Sequence, residues 1–129
     1  MEASKTQRQK RIDSILFLYI LEFGGDFVRG TDVSEETYLD VEELIKHSDE
    51  IEEILDKSLT NWKLNRLNLV DKAILKYSVY EMKYKNIPYQ VSINEAIEIT
   101  KIYSDIDGKQ AAFNNKVLDK AKDLINESK

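Results

Sequence analysis

Four cations crowd the start of the chain, Lys5, Arg8, Lys10 and Arg11, with no carboxylate between them. They sit where a first helix begins, the positive end of its macrodipole, so the cluster is electrostatically unfavourable for the helix itself. An anion relieves that cost, and a phosphate there meets both the basic side chains and the free amides of the first turn. The alternative is a frayed, solvated terminus. A second set lies near the other end, where Lys109, Lys116 and Lys120 fall at i−4, i+3 and i+7 from Phe113. An aromatic ring rimmed by ammonium groups suits an extruded base and its phosphates. A boundary Phe packed on the core, with lysine stems lying along it, gives the same pattern. The chemistry open to either set is the binding of anions, not the making or breaking of bonds.

Residues for covalent chemistry are scarce. There is no cysteine, so thiolate nucleophiles, disulfides and zinc–cysteine sites are excluded together. His47 is the one imidazole, which rules out a His–His metal pair, and its place at the end of a second helix predicts a solvated ring favoured by the helix dipole. No Glu-x-x-His motif of the di-metal bundles occurs, and Gly24, Gly25 and Gly30 do not form a phosphate-cradling loop. The expectation is a binding protein with no cofactor, no metal and no enzymatic activity.

The elements that must position these residues are helical. With four Gly, one Pro and no sustained alternation, the 129 residues predict one all-α domain. Helix one is expected from about Lys5 to Phe23, with Ile12, Ile15, Leu16, Tyr19, Ile20 and Phe23 inward and Gly24-Gly25 as its stop. After a loop from Phe27 to Thr37 in which Ser34 offers a cap, Tyr38, Val41, Leu44 and Ile45 mark a second helix. Ile51, Ile54, Leu55 and Leu59 mark a third, and Trp62 anchors the bridge that follows. The central helix carries two apolar stripes, Leu67, Val70, Ile74 and Tyr77 beside Leu75, Val79 and Met82, and closes at Asn86 before Pro88. Ser92 and Glu95 have capping-box spacing, with Ile93, Ala96, Ile97, Thr100 and Tyr103 as the inner face beyond. A last helix from Lys109 to about Ile125 buries Val117, Leu118, Ala121, Leu124 and Ile125.

The formal charge of −5 argues against a nucleic-acid partner only as an average. Residues 31–60 hold 11 acids against Lys46 and Lys57, a local charge of −9, so the remainder carries +4. That acidic third is either a solvated helix pair or a flank that keeps nucleic acid on another face. No apolar run of signal-peptide or membrane-spanning kind occurs, so the expectation is a soluble, cytoplasmic protein with no membrane partner.

The run Asn61-Trp62, Arg66-Leu67, Val70 to Lys76, Tyr80-Glu81, Ile87-Pro88 and Ile93 to Glu98 resembles the NusB family of bacterial antitermination factors. Leu18-Tyr19 and the segment Phe113 to Asp119, similar to the family's FVNGVLD, extend the resemblance over essentially the whole chain. It implies a single compact bundle over residues 1–129, of about seven helices in two antiparallel subdomains. It also implies binding of boxA-type single-stranded RNA from ribosomal RNA transcripts, as a heterodimer with the ribosomal protein NusE, within an RNA polymerase antitermination complex. Carried over residue by residue, RNA would meet Lys5, Arg8, Lys10 and Arg11 and the Phe113 edge with Lys109, Lys116 and Lys120, while Asp71 and Lys72 would face NusE. Three positions depart from the pattern: Asn114 replaces a β-branched residue, Lys116 a glycine and Lys76 an arginine. The acidic balance and Lys116 leave open a second reading, an all-helical interaction or ribosome-assembly adaptor that keeps the fold with weak or no RNA binding.

Overall fold

The computed structural model describes residues 5–24, 33–60 and 63–128. Among them are α1 (Gln7–Glu22), α2 (Glu35–Lys46), α3 (Ser48–Ser58), a 3-10 turn (Leu64–Arg66), α4 (Leu69–Tyr84), α5 (Tyr89–Tyr103) and α6 (Lys109–Glu127), with no strand. The all-α expectation holds, and seven helical segments match the expected number. Gly25, Phe27, Gly30 and the Trp62 anchor lie outside the described residues.

Local chemistry sets the helix ends. The side chains of Thr6, Ser34 and Asn68 accept hydrogen bonds from the backbone N–H groups of Gln9, Thr37 and Asp71, satisfying amides that have no partner inside their helices. The stop after α4 is Asn86 at φ 54°, a left-handed conformation that asparagine tolerates, ahead of Pro88.

The centre of the molecule is α4. Helices α1, α3, α5 and α6 all pack against it, and every residue from Ala73 to Met82 is buried. One apolar cluster joins Ile15 and Leu18, Val41 and Leu44, Ile51 and Leu55, Ile74, Leu75 and Val79, Ile99, and Leu118 and Ala121. α1 runs antiparallel to α4, because Arg11 meets Glu81 near one end while Glu22 meets Lys72 and Lys76 near the other. α6 runs parallel to it: Asn114 bonds Asp71, and Ile125 shares a cavity with Met82.

Several expected faces are rotated. On α1 the buried residues are Arg11, Ile12, Ser14, Ile15, Phe17 and Leu18, while Ile20 and Phe23 are exposed; the charged Arg11 goes inward because α4 offers it a carboxylate. Ile45 and Tyr103 are also exposed. His47 is not simply solvated: it stacks on Tyr84 with ring centroids 3.8 Å apart and lies 3.2 Å from Glu43.

The capping box is the clearest correction. α5 starts at Tyr89, four residues early, because proline's fixed φ suits a helix start and the Pro88 carbonyl accepts from the amides of Val91 and Ser92. Ser92 therefore falls inside the helix, fully buried, 2.8 Å from Ser78 Oγ and donating to Glu81 Oε1 at 3.1 Å. Glu95 turns outward to Arg8. A cap tolerates size, whereas a buried contact between α4 and α5 does not. Ser92→Leu should therefore destabilise by about 1 to 3 kcal/mol more than Ser92→Ala in urea unfolding, through overpacking. Equal losses in the two variants would restore the capping role.

Candidate nucleic-acid interface

The basic cluster at the start of α1 is laid out by helical spacing and by the carboxylates opposite it. Lys5 reaches Asp13 at 2.7 Å, Lys10 reaches Glu36 at 3.3 Å, and Arg8 forms a fork on Glu95 with contacts of 3.0 and 2.8 Å. The Arg8 side chain keeps 45% of its surface exposed, so the pair is open to exchange with another anion. Its hydrogen bond to Glu95, reinforced by the opposite charge, holds the Glu95 carboxyl below its ordinary range and raises the Arg8 guanidinium.

Arg11 is different. Its side chain is only 11% exposed and donates to Glu81 at 2.9 Å, so it stands behind the cluster rather than in it. Burial pushes the Glu81 carboxyl up, against the opposing charge of Arg11 and a hydrogen bond from Ser92. Breaking such a pair strands a buried charge, which makes Arg11 a structural group.

At the far end of α4, Phe113 is half-buried, packed on the core along one side, and Lys109, Lys116 and Lys120 are exposed. Lys109 lies 3.8 Å from Asp107. Asn114 points the other way and is fully buried, donating 3.1 Å bonds to Asp71 Oδ1 and Thr100 Oγ1.

Asp71 does not face outward as the resemblance implies. It is 1% exposed and accepts from Asn68, Ser104 and Asn114, because the loop after α5 and the start of α6 close over the first turn of α4. Lys72 and Lys76 converge on Glu22 at 3.1 and 2.6 Å. Burial raises the Glu22 carboxyl, but the hydrogen bonds and charges of the two lysines outweigh it and leave the group below its ordinary range.

The structure does not bring the two basic sets together. Arg11 marks position 81 of α4 and Asn114 marks position 71, a separation of about 15 Å along the helix axis. Sequence reasoning also missed Asp40, which accepts from Ser14, Tyr77, Tyr80 and Lys85 beside a cavity of about 320 Å³ between α1, α2 and α4. Burial there is outweighed by those donors, so the Asp40 carboxyl also lies below its ordinary range. One signal was available: acids and lysines inside an otherwise apolar helix, such as Lys76 and Glu81, announce buried partners elsewhere. Among the described residues no group of three or more His, Cys, Asp or Glu is arranged to hold a metal ion, and no helix is long and apolar enough to cross a membrane.

This is an all-helical module whose accessible cations lie on surface edges around a closed core. A model of the NusB family matches residues 32–123. The chain is 36% identical over 132 aligned residues to the transcription antitermination protein NusB of Bacillus cereus (strain B4264), covering 94% of this chain and 98% of that one. The relative in Bacillus anthracis (strain A0248) matches at the same identity and coverage. T. maritima NusB superposes with a TM-score of 0.76 at 26% identity, over 94% of this chain and 93% of that one. NusB from a crystal structure with NusE and dsRNA shares the fold, with a TM-score of 0.75 at 21% identity over 92% and 96% of the two chains. The chain belongs to the NusB family.

A pH dependence follows from Glu22. Its folded carboxyl ionises below its unfolded value, so the stability it contributes is complete above the ordinary carboxylate range near pH 4 and is lost as pH falls through the lower folded value. In urea unfolding at a series of pH values, the parent should exceed Glu22→Gln by a constant margin from pH 7 down to about 5. That margin should shrink toward pH 2. A margin independent of pH would contradict the pairing.

Proposed function

We propose that this chain is a non-catalytic transcription antitermination factor of the bacterial cytoplasm, which binds boxA-type single-stranded RNA of ribosomal RNA transcripts together with NusE. The observation that carries this reading is the 36% identity to antitermination proteins over 94% of the chain. The complex of NusB, NusE and RNA on the same fold supports the choice of partners. The complex then acts within the antitermination assembly on RNA polymerase, and residues 1–129 work as one RNA-binding domain.

Within this reading Lys5, Arg8 and Lys10 meet phosphates at the start of α1, where bound RNA replaces exposed ion pairs. Arg11 braces the helix from behind through Glu81. Phe113, with Lys109, Lys116 and Lys120, takes the strand at the other end of α4. NusE meets the junction of α1 and α4, where Lys72 and Glu22 are paired and Phe23 is 74% exposed. Asp71 serves this surface by fixing the first turn of α4. Few phosphate contacts make RNA affinity modest and salt-sensitive, which explains the need for a second RNA-binding protein on the same strand.

Two measurements test the reading. Replacing Arg8 and Lys10 together with alanine should weaken boxA-type RNA binding and flatten the salt dependence by up to about two units in slope, with unfolding little changed. An unchanged slope would remove the start of α1 from the interface. Phe113→Ala should cost less than the roughly 3 to 5 kcal/mol of a fully buried ring, while removing about 1 to 3 kcal/mol of RNA affinity. Loss of stability with full affinity per folded molecule would make Phe113 a packing residue only.

A further inference from the structure

The carboxylates that cover the cations at the start of α1 are unequal. Lys10 meets Glu36 at 3.3 Å, and that side chain is 68% exposed, so water solvates it as soon as the pair opens. Arg8 is held by two hydrogen bonds, and its partner Glu95 is only 15% exposed. The fork occupies one bidentate edge of the Arg8 guanidinium, Nε and Nη2, and neutralises its charge. A phosphate at the remaining edge meets a neutral pair with the carboxylate still close by, and gains little. The full charge of Arg8 becomes available only when Glu95 lets go.

Arg11 decides what Glu95 does on letting go. It lies three residues after Arg8, on the next turn of α1, and Glu95 of α5 faces both. Glu95 Oε1, the atom that accepts from Arg8 Nε, lies 3.9 Å from Arg11 Nη1, too far for a hydrogen bond and close enough for the charges to attract. Arg11 donates its Nε–H to Glu81 and makes no hydrogen bond through its Nη groups among the described residues. A shift of about 1 Å by the Glu95 carboxylate therefore completes a second pair. Without Arg11, release of Arg8 would strand a largely buried carboxylate, which is strongly unfavourable. With Arg11 in place the carboxylate changes partner instead.

We infer that Glu95 is an internal competitor for RNA phosphate, which covers Arg8 in the free protein and passes to Arg11 when a phosphate takes Arg8. It holds RNA affinity below what the basic cluster alone would give. A lone phosphate gains little from the exchange, whereas a strand that is also held elsewhere overcomes the competition. The inference rests on the RNA-binding reading above and deepens it by naming a residue that sets the affinity.

The test measures binding of a fluorescein-labelled boxA-type single-stranded RNA to the full chain, with and without NusE. Glu95→Gln keeps the shape and removes the competing charge, and should tighten binding about two- to fivefold, the range that the opening of an exposed ion pair covers. Glu98→Gln controls for charge alone: Glu98 acts on Arg8 through space and pairs with Lys101 at 3.5 Å without covering Arg8. It should tighten binding by less than about twofold. In an Arg8→Ala background Glu95→Gln should bring no gain, because no guanidinium is left to uncover. The parent supplies a readout independent of any variant's folding: in arginine side-chain NMR, RNA should shift the Arg8 Nε–H signal and sharpen the Arg11 Nη–H signals. Binding by folded Glu95→Gln equal to the parent's or weaker would overturn the competition and leave the functional reading standing. So would equal gains in Glu95→Gln and Glu98→Gln, a gain that survives Arg8→Ala, or Arg11 signals that RNA leaves unchanged. No RNA binding by the parent, with or without NusE, would overturn both.

Discussion

Enclosure of α4 on all sides is the constraint from which the rest of the structure follows. A helix with no solvent face has no water to satisfy its polar side chains, so each must find a partner within the protein or forfeit several kcal/mol. α4 carries Asp71, Lys76, Tyr77, Ser78 and Glu81 among its buried residues. Asp71 is met by α5 and α6, Lys76 by Glu22 of α1, Tyr77 by Asp40 of α2, and Ser78 and Glu81 by Ser92 of α5 and Arg11 of α1. These bonds add little net stability over an apolar core, but each matches one position on a surrounding helix to one position on α4. They fix the register of the bundle.

The same requirement divides the charges into those the fold consumes and those left for partners. Arg11, although part of a basic run, is spent on Glu81. Arg8, one turn earlier, reaches only a carboxylate at the surface and stays half-exposed. Asp71 is consumed by capping and by the start of α6, whereas Lys109, Lys116 and Lys120 project from the outer side of α6. The acidic helices α2 and α3 spread Glu43, Asp49, Glu50, Glu53 and Asp56 over a solvent face on which Lys46 and Lys57 are outnumbered, so the local charge there is negative.

Among the described residues, α1 and α6 are both tied to α4 by buried polar contacts, Arg11 to Glu81 and Asn114 to Asp71. The two basic sets are carried by α1 and α6, both of which pack against α4. Their spacing limits which strands bridge both basic sets: about 15 Å along α4 is the reach of several nucleotides and not of one.

The sequence by itself determined the class of fold, the number and order of the helices, and the lack of any thiol. Those properties depend on local terms: periodicity over one or two turns, side-chain caps such as Ser34, the left-handed stop at Asn86, and the plain lack of cysteine. The family pattern was legible too, because most of its signature is the packing surface of α4 and α5. Only the tertiary structure decided which charged residues are available. The inward turn of Arg11 depends on a carboxylate 70 positions away, the burial of Asp71 on Asn114, 43 positions away, and the role of Ser92 on Ser78 and Glu81 across a helix pair. Helical periodicity assigns a face to each residue but says nothing of what lies opposite it. A polar side chain is drawn inward or left outside by the partner it meets there.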